Sequence, residues 1–141
     1  MQIPQSLIDL IASGSHAHFV TMNKDGSPHV TVVWVGVVDG EIVSAHLPRN
    51  QKVRNIERDS RVVLSLEANT LSDFGLREYA VVYGEARITE GGAPELLQKL
   101  AYIYMGKGVK FPPMPNPPPG YITRIRPVRI EGVGPWVTKT G

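Results

Sequence analysis

The residues best suited to chemistry lie in one short segment, His46-Leu47-Pro48-Arg49-Asn50-Gln51-Lys52-Val53-Arg54-Asn55-Ile56-Glu57-Arg58-Asp59. A helix starting at Asn50 puts Lys52 and Arg54 in its first turns, with Arg49 just before it and Glu57 and Asp59 at its end. That order opposes the helix dipole, each misplaced charge costing roughly 0.3–1 kcal/mol. An anion bound at the N-terminus resolves the conflict, because free backbone N–H groups and clustered Arg and Lys together make a phosphate site. The other resolution is a solvated basic face paired with Glu57 and Asp59, and such surface pairs are common and weak.

Other candidates are thinner. His46 titrates in the range useful to a general acid, but a hydrogen bond beside a cofactor is the reading we favour. His16 and His18 share one face of a strand, yet no nearby carboxylate or third histidine completes a ligand set, so we expect no metal. Trp34 reads as core, and Trp136 as either core or a stacking surface for a planar ligand. There is no Gly-x-Ser-x-Gly for an acyl-transfer serine and no Gly-x-Gly-x-x-Gly after a strand for a dinucleotide.

Composition narrows the classes further. The 141 residues fit one domain, residues 1–141, and 42% hydrophobic with 20% charged residues is ordinary for a globular chain. Zero cysteines exclude disulfides and thiolate chemistry. A net charge of +2 does not imply nucleic acid. No apolar run approaches the roughly 20 residues of a membrane span, and Met1-Gln2-Ile3-Pro4 lacks the pattern of a signal peptide. We expect a cytoplasmic protein without a membrane partner.

The elements that must position these residues are mostly strands. Leu7, Ile8, Leu10 and Ile11 form a helical stripe ending near Gly14. Strands are expected at His16–Met22, His29–Val35, Glu41–Leu47, Arg61–Glu67, Glu78–Thr89 and Tyr121–Val133. The second of these is almost wholly β-branched or aromatic and reads as buried on both faces. Asp39-Gly40 marks a hairpin. A second amphipathic helix spans Ala93–Met105, and Phe111–Gly120 is a proline-rich loop read as a rigid flap over the site. Six short strands and a few short helices imply a mainly β, antiparallel barrel or sandwich.

The stretches Asp25-Gly26-Ser27-Pro28-His29-Val30, Gln51-Lys52-Val53-Arg54-Asn55-Ile56, Asp59-Ser60-Arg61-Val62 and Tyr79-Ala80-Val81-Val82-Tyr83-Gly84-Glu85-Ala86 occur in this order. Together they resemble the pyridoxamine-phosphate-oxidase-like superfamily, over roughly Leu7 to Gly132. The resemblance implies a six-stranded antiparallel split β-barrel and a homodimer with cofactor sites at the subunit interface. The ending Gly134-Pro135-Trp136-Val137 departs from the Arg-Leu-x-Pro ending of the oxidases proper and is similar to short members that bind the deazaflavin coenzyme F420. The implied activity is hydride transfer between F420 and a small planar conjugated substrate. FMN as cofactor, or a non-catalytic flavin or haem carrier, are the alternatives. On this resemblance Arg49, Gln51, Lys52 and Asn55 hold the cofactor phosphate. Thr31, Val32 and Val33 lie against the ring system, Ser44, Ala45 and His46 line the ring or ribityl chain, and Phe74 and Arg77 reach across from the second subunit. No side chain is required as catalytic acid or base.

Overall fold

The computed structural model describes residues 1–138. Its elements run α1 (Gln5–Ala12), β1 (Ala17–Met22), β2 (Pro28–Val33), β3 (Gly36–Val38), β4 (Glu41–His46), α2 (Gln51–Arg58), β5 (Arg61–Leu71), β6 (Arg77–Glu90), α3 (Ala93–Tyr104) and β7 (Tyr121–Val133). The protein is mainly β, as expected, and every strand pairing is antiparallel. The strands follow the order β2-β1-β5-β6-β7-β4-β3 in one sheet. Consecutive strands β2 and β3 thus lie at opposite ends of that order, the signature of a split rather than closed barrel. Among the described residues, no helix is long and apolar enough to cross a membrane.

The strand count is seven, not six, because the expected run through Val35 breaks at Trp34-Val35 and resumes as the short β3. A break inside a fold leaves backbone groups that need partners. One phenol supplies them: Val35 N–H donates to the Tyr104 hydroxyl (3.1 Å), which donates to Ser15 C=O (2.8 Å). The hairpin after β3 turns at Asp39-Gly40, both with positive φ (51° and 76°), as an Asp-Gly hairpin requires.

The expectation that β2 is buried on both faces is corrected. Its residues alternate between the interior and solvent, with Val30 and Val32 each 57% exposed. The strand has one neighbour, β1, so it is an edge. A run of β-branched residues reports a preference for extended backbone and not the number of covered faces.

The main core packs Leu7, Leu10 and Ile11 of α1 against Phe19, Leu64, Leu66, Val82, Ile125 and Ile130 of the sheet. Trp136 belongs to this core, and its indole N–H donates to Tyr79 C=O (2.8 Å). The stacking reading of Trp136 is therefore set aside. A second cluster lies under α3, where Leu96, Leu97, Leu100 and Ala101 are buried and all but Ala101 pack with Val43, Ala45 and Ile122. Outside, β6 and β7 slip register between Tyr83↔Arg129 and Gly84↔Pro127, which leaves Val128 unpaired and exposed. The slip also admits Pro127, which has no N–H for a regular ladder.

Candidate functional site

Helix α2 begins with Asn50, whose side chain accepts the Val53 N–H (3.2 Å). Its outward charged side chains already have partners. Arg49 meets Glu57 at 2.7 Å and Asp59 meets Arg61 at 2.8 Å, while Arg54 donates to Arg49 C=O. The last turn holds Arg58, a placement the dipole favours, and Asp59 is the cap residue beyond it. The reversed charge pattern read from the sequence is thus largely resolved on the surface, by the pairing that was the alternative to an anion. Arg54 and Arg58 lack a carboxylate but donate to carbonyl and amide oxygens. Lys52 is the exception: among the described residues it has neither a carboxylate within ion-pair distance nor a side-chain hydrogen bond.

Lys52 instead faces a cleft of about 250 Å³, shared with Val32, Val33, Trp34, Ser44, Ala45, His46, Leu97 and Phe111. Four separate stretches of chain meet there: the end of β2, the end of β4, α2, and α3 with the proline-rich loop. Burial pushes the Lys52 ammonium below its ordinary pKa. His46 is buried, and its Nε2 lies 3.0 Å from Thr123 Oγ1 on the neighbouring strand β7. Desolvation, and secondarily the charge of Lys52, push its pKa down to about 3. At neutral pH His46 is an uncharged hydrogen-bonding group, so it holds no proton to give as an imidazolium. The turn from the loop into β7 presses closely on this region. A Cβ on Gly120 (φ +63°) would stand 2.5 Å from His46 C=O, so the backbone can pass there only as glycine.

Six of the residues singled out in the sequence (Val32, Val33, Ser44, Ala45, His46 and Lys52) come together in this cleft. The others do not line it. Thr31 lies one residue along β2, its hydroxyl buried without a hydrogen-bond partner, as is His29 Nδ1. Arg49 and Gln51 are exposed at the start of α2, Arg49 on Glu57 and Gln51 donating to Asn55 Oδ1 (2.8 Å). Asn55 is fully buried. Its amide donates to Thr21 Oγ1 and Asn23 Oδ1, both at 3.0 Å, tying α2 to β1 and the turn after it. Phe74, 92% exposed, and Arg77, which donates to Ala68 C=O, sit at the tip of the β5–β6 hairpin. Sequence reasoning missed Leu97 as a cleft residue and placed Trp34 in the core, whereas the proline-rich loop read as a flap over the site does bring Phe111 into the cleft.

A family model described as pyridoxamine 5'-phosphate oxidase matches residues 7–134. Among solved structures, the chain is similar to an F420 reductase at 23% identity and a TM-score of 0.70, covering 92% of this chain and 98% of that one. It is also similar to a conserved hypothetical protein from Mycobacterium tuberculosis, at 25% identity and a TM-score of 0.69, covering 94% and 84%. A third likeness is to HupZ of Group A Streptococcus, at 20% identity and a TM-score of 0.65, covering 98% and 99%. At these identities the likenesses speak for the fold. No curated protein matches the chain. With a family model that spans the sheet, α2 and the cleft alike, the chain belongs to the pyridoxamine 5'-phosphate oxidase family.

Proposed function

We propose that the cleft binds a phosphate-bearing flavin-type cofactor, coenzyme F420 in preference to FMN. On this reading the protein is a cytoplasmic oxidoreductase that passes hydride to a small planar conjugated substrate. The observation that carries the reading is Lys52: a half-buried ammonium without a carboxylate partner, in a cleft whose other walls are neutral. A charge placed so is unfavourable until an anion joins it. When bound, either cofactor supplies the hydride chemistry, and the protein supplies position and a dry pocket.

The remaining residues fit such a group. Arg49 and Gln51 flank Lys52 at the start of α2 and extend the anion site, Arg49 by giving up its pair with Glu57. Asn55 acts from behind, fixing the helix on β1. Edge strand β2 leaves half of its backbone groups without a sheet partner. The backbone groups around Thr31, Val32 and Val33 meet the polar edge of the ring system. Ser44, Ala45 and the neutral His46 line its other side. No residue of the cleft needs to act as acid or base.

A volume of about 250 Å³ is below the roughly 300–1,000 Å³ that usually encloses a small ligand. A second copy of the chain supplies the rest. The sheet offers it an apolar face with the exposed Val30, Val32 and Val128, and the hairpin tip with Phe74 and Arg77 reaches across. Titration of the purified protein with F420 and with FMN tests the cofactor, and light scattering tests the assembly. Tighter F420 binding and a dimer mass at micromolar concentration are expected. Tightly held FMN with indifference to F420 overturns the cofactor choice, and a monomer mass removes the shared site.

A further inference from the structure

The cofactor reading assigns β2, β4 and α2 and leaves one wall of the cleft without a task. That wall is Trp34, Leu97 and Phe111. It is apolar, and two of its three residues are aromatic. The Trp34 ring stacks on Tyr104, with centroids 5.4 Å apart and planes 11° apart, and Phe111 leans on it at 5.3 Å and 57°. Tyr104 is itself pinned, because its hydroxyl serves the backbone at Val35 and Ser15. Trp34 is therefore held from behind by a side chain that has no freedom to move away.

Phe111 is held differently, through its backbone. The amide of Gln98 on α3 donates to Val109 C=O (2.7 Å) and accepts from Phe111 N–H (3.1 Å). Both bonds come from one exposed side chain, and they span the residues on either side of Lys110. A proline-rich loop makes few internal backbone bonds, so this double clamp is what fixes where Phe111 meets Trp34. Neither bond contributes to the fold's sheet or core. A glutamine that spends both ends of its amide on a loop beside a cleft is placed to set the shape of that cleft.

We propose that Trp34 and Phe111 are the surface on which the substrate stacks, and that Gln98 is the positioning residue that sets the width of this surface. The substrate class follows from the wall: a flat, conjugated molecule with a face to offer to the indole and an edge to the tilted phenyl ring. This rests on the cofactor reading only in that β2, β4 and α2 are taken by the cofactor.

The test uses the whole protein and menadione, a flat naphthoquinone, as the probe. Binding is followed by quenching of tryptophan fluorescence and by calorimetry in the presence of saturating FMN. Trp136 is buried in the core and gives a constant background. Saturable quenching is expected in the wild type, and in Trp34→Leu, which lacks the reporting indole, calorimetry should show weakened menadione binding. Gln98→Leu should raise the menadione dissociation constant roughly two- to tenfold, the range of an aromatic contact. Gln98→Glu keeps the acceptor for Phe111 N–H and should fall between the two, which retains a reading if Gln98→Leu melts early. FMN affinity should be unchanged in both Gln98 variants. An unchanged menadione constant in folded Gln98 variants overturns the proposal, as does menadione binding of wild-type strength by calorimetry in Trp34→Leu. Loss of menadione binding when FMN is added overturns it too, since the wall then belongs to the cofactor. Failure of the cofactor reading shows elsewhere, as FMN and F420 affinities that ignore Lys52.

Discussion

The two sides of helix α2 face opposite electrostatic circumstances. On the outside, Arg49, Glu57, Asp59 and Arg61 are exposed or half-exposed and paired across 2.7–2.8 Å. On the inside, Lys52 and His46 share a cleft with no negative charge beside them, and both have pKa values pushed down by burial. The outer pairs are screened and contribute little, with exposed pairs near 0–1 kcal/mol. The inner pair is an arrangement that is unfavourable in the empty protein. The helix resolves its charge conflicts where water is available and leaves one unresolved where it is not, which is the contrast on which the proposed binding site on its inner side rests.

The largest expected effect concerns the inner side under acid. Burial holds the folded pKa of His46 at about 3, against 6.5 for an imidazole free in water. Below pH 6.5 the unfolded chain therefore binds a proton that the folded protein refuses. Stability that is complete above pH 6.5 is lost as pH falls toward 3, by on the order of 4 to 5 kcal/mol across the full window. Urea melts from pH 7 to pH 4 should show this slope, and His46→Asn should flatten it. An equal slope in that variant would place the acid lability elsewhere. Neutralising Lys52 with a bound anion should also soften the slope slightly, because the charge of Lys52 is the second cause of the depressed pKa.

A smaller effect is expected at the seam between the two sides. Asn55→Ala removes the amide that joins α2 to Thr21 and Asn23. Leaving those buried groups unpaired costs about 1–3 kcal/mol. Cofactor affinity should fall too, because the helix that carries Lys52 loosens. A variant with unchanged melting temperature would show that α2 is held by its apolar contacts alone.

The smallest effect is on the outside. Arg49→Ala breaks only an exposed pair with Glu57, so stability should change by less than about 1 kcal/mol. Its effect on cofactor affinity should be well below that of Lys52→Ala, because in the wild type Arg49 must first leave Glu57. Affinity losses of equal size at both positions would erase the distinction between the two sides.

Much of this was legible in the sequence, for reasons that differ by element. β7 has the bounds its pattern implied, Tyr121–Val133, since alternation and the preceding glycine mark them locally. The α2 helix and the Asp39-Gly40 hairpin are likewise local signals. What was not legible depends on partners far along the chain. The edge position of β2 is a property of the sheet order. The break at Trp34-Val35 is stabilised by Tyr104, 69 residues away. The resemblance makes Asn55 a cofactor ligand, but its hydrogen-bond partners lie 34 and 32 residues upstream. The cleft itself follows the same division. β4 and α2 supply its polar floor from adjacent sequence, whereas Leu97 and Phe111 enter it only because α3 folds back over β4.

The central claim is that the inner side of α2 is an anion site, and calorimetric titration of F420 and FMN into wild-type protein and Lys52→Ala tests it most directly. A charged hydrogen bond to phosphate contributes on the order of 1.5–3 kcal/mol, so affinity should fall roughly 10- to 150-fold in the variant. The ligand-free variant should melt at the same temperature as the wild type or higher, since it loses a charge that burial disfavours. Unchanged affinity for both cofactors, with a lowered melting temperature, would contradict the account and make Lys52 a structural residue.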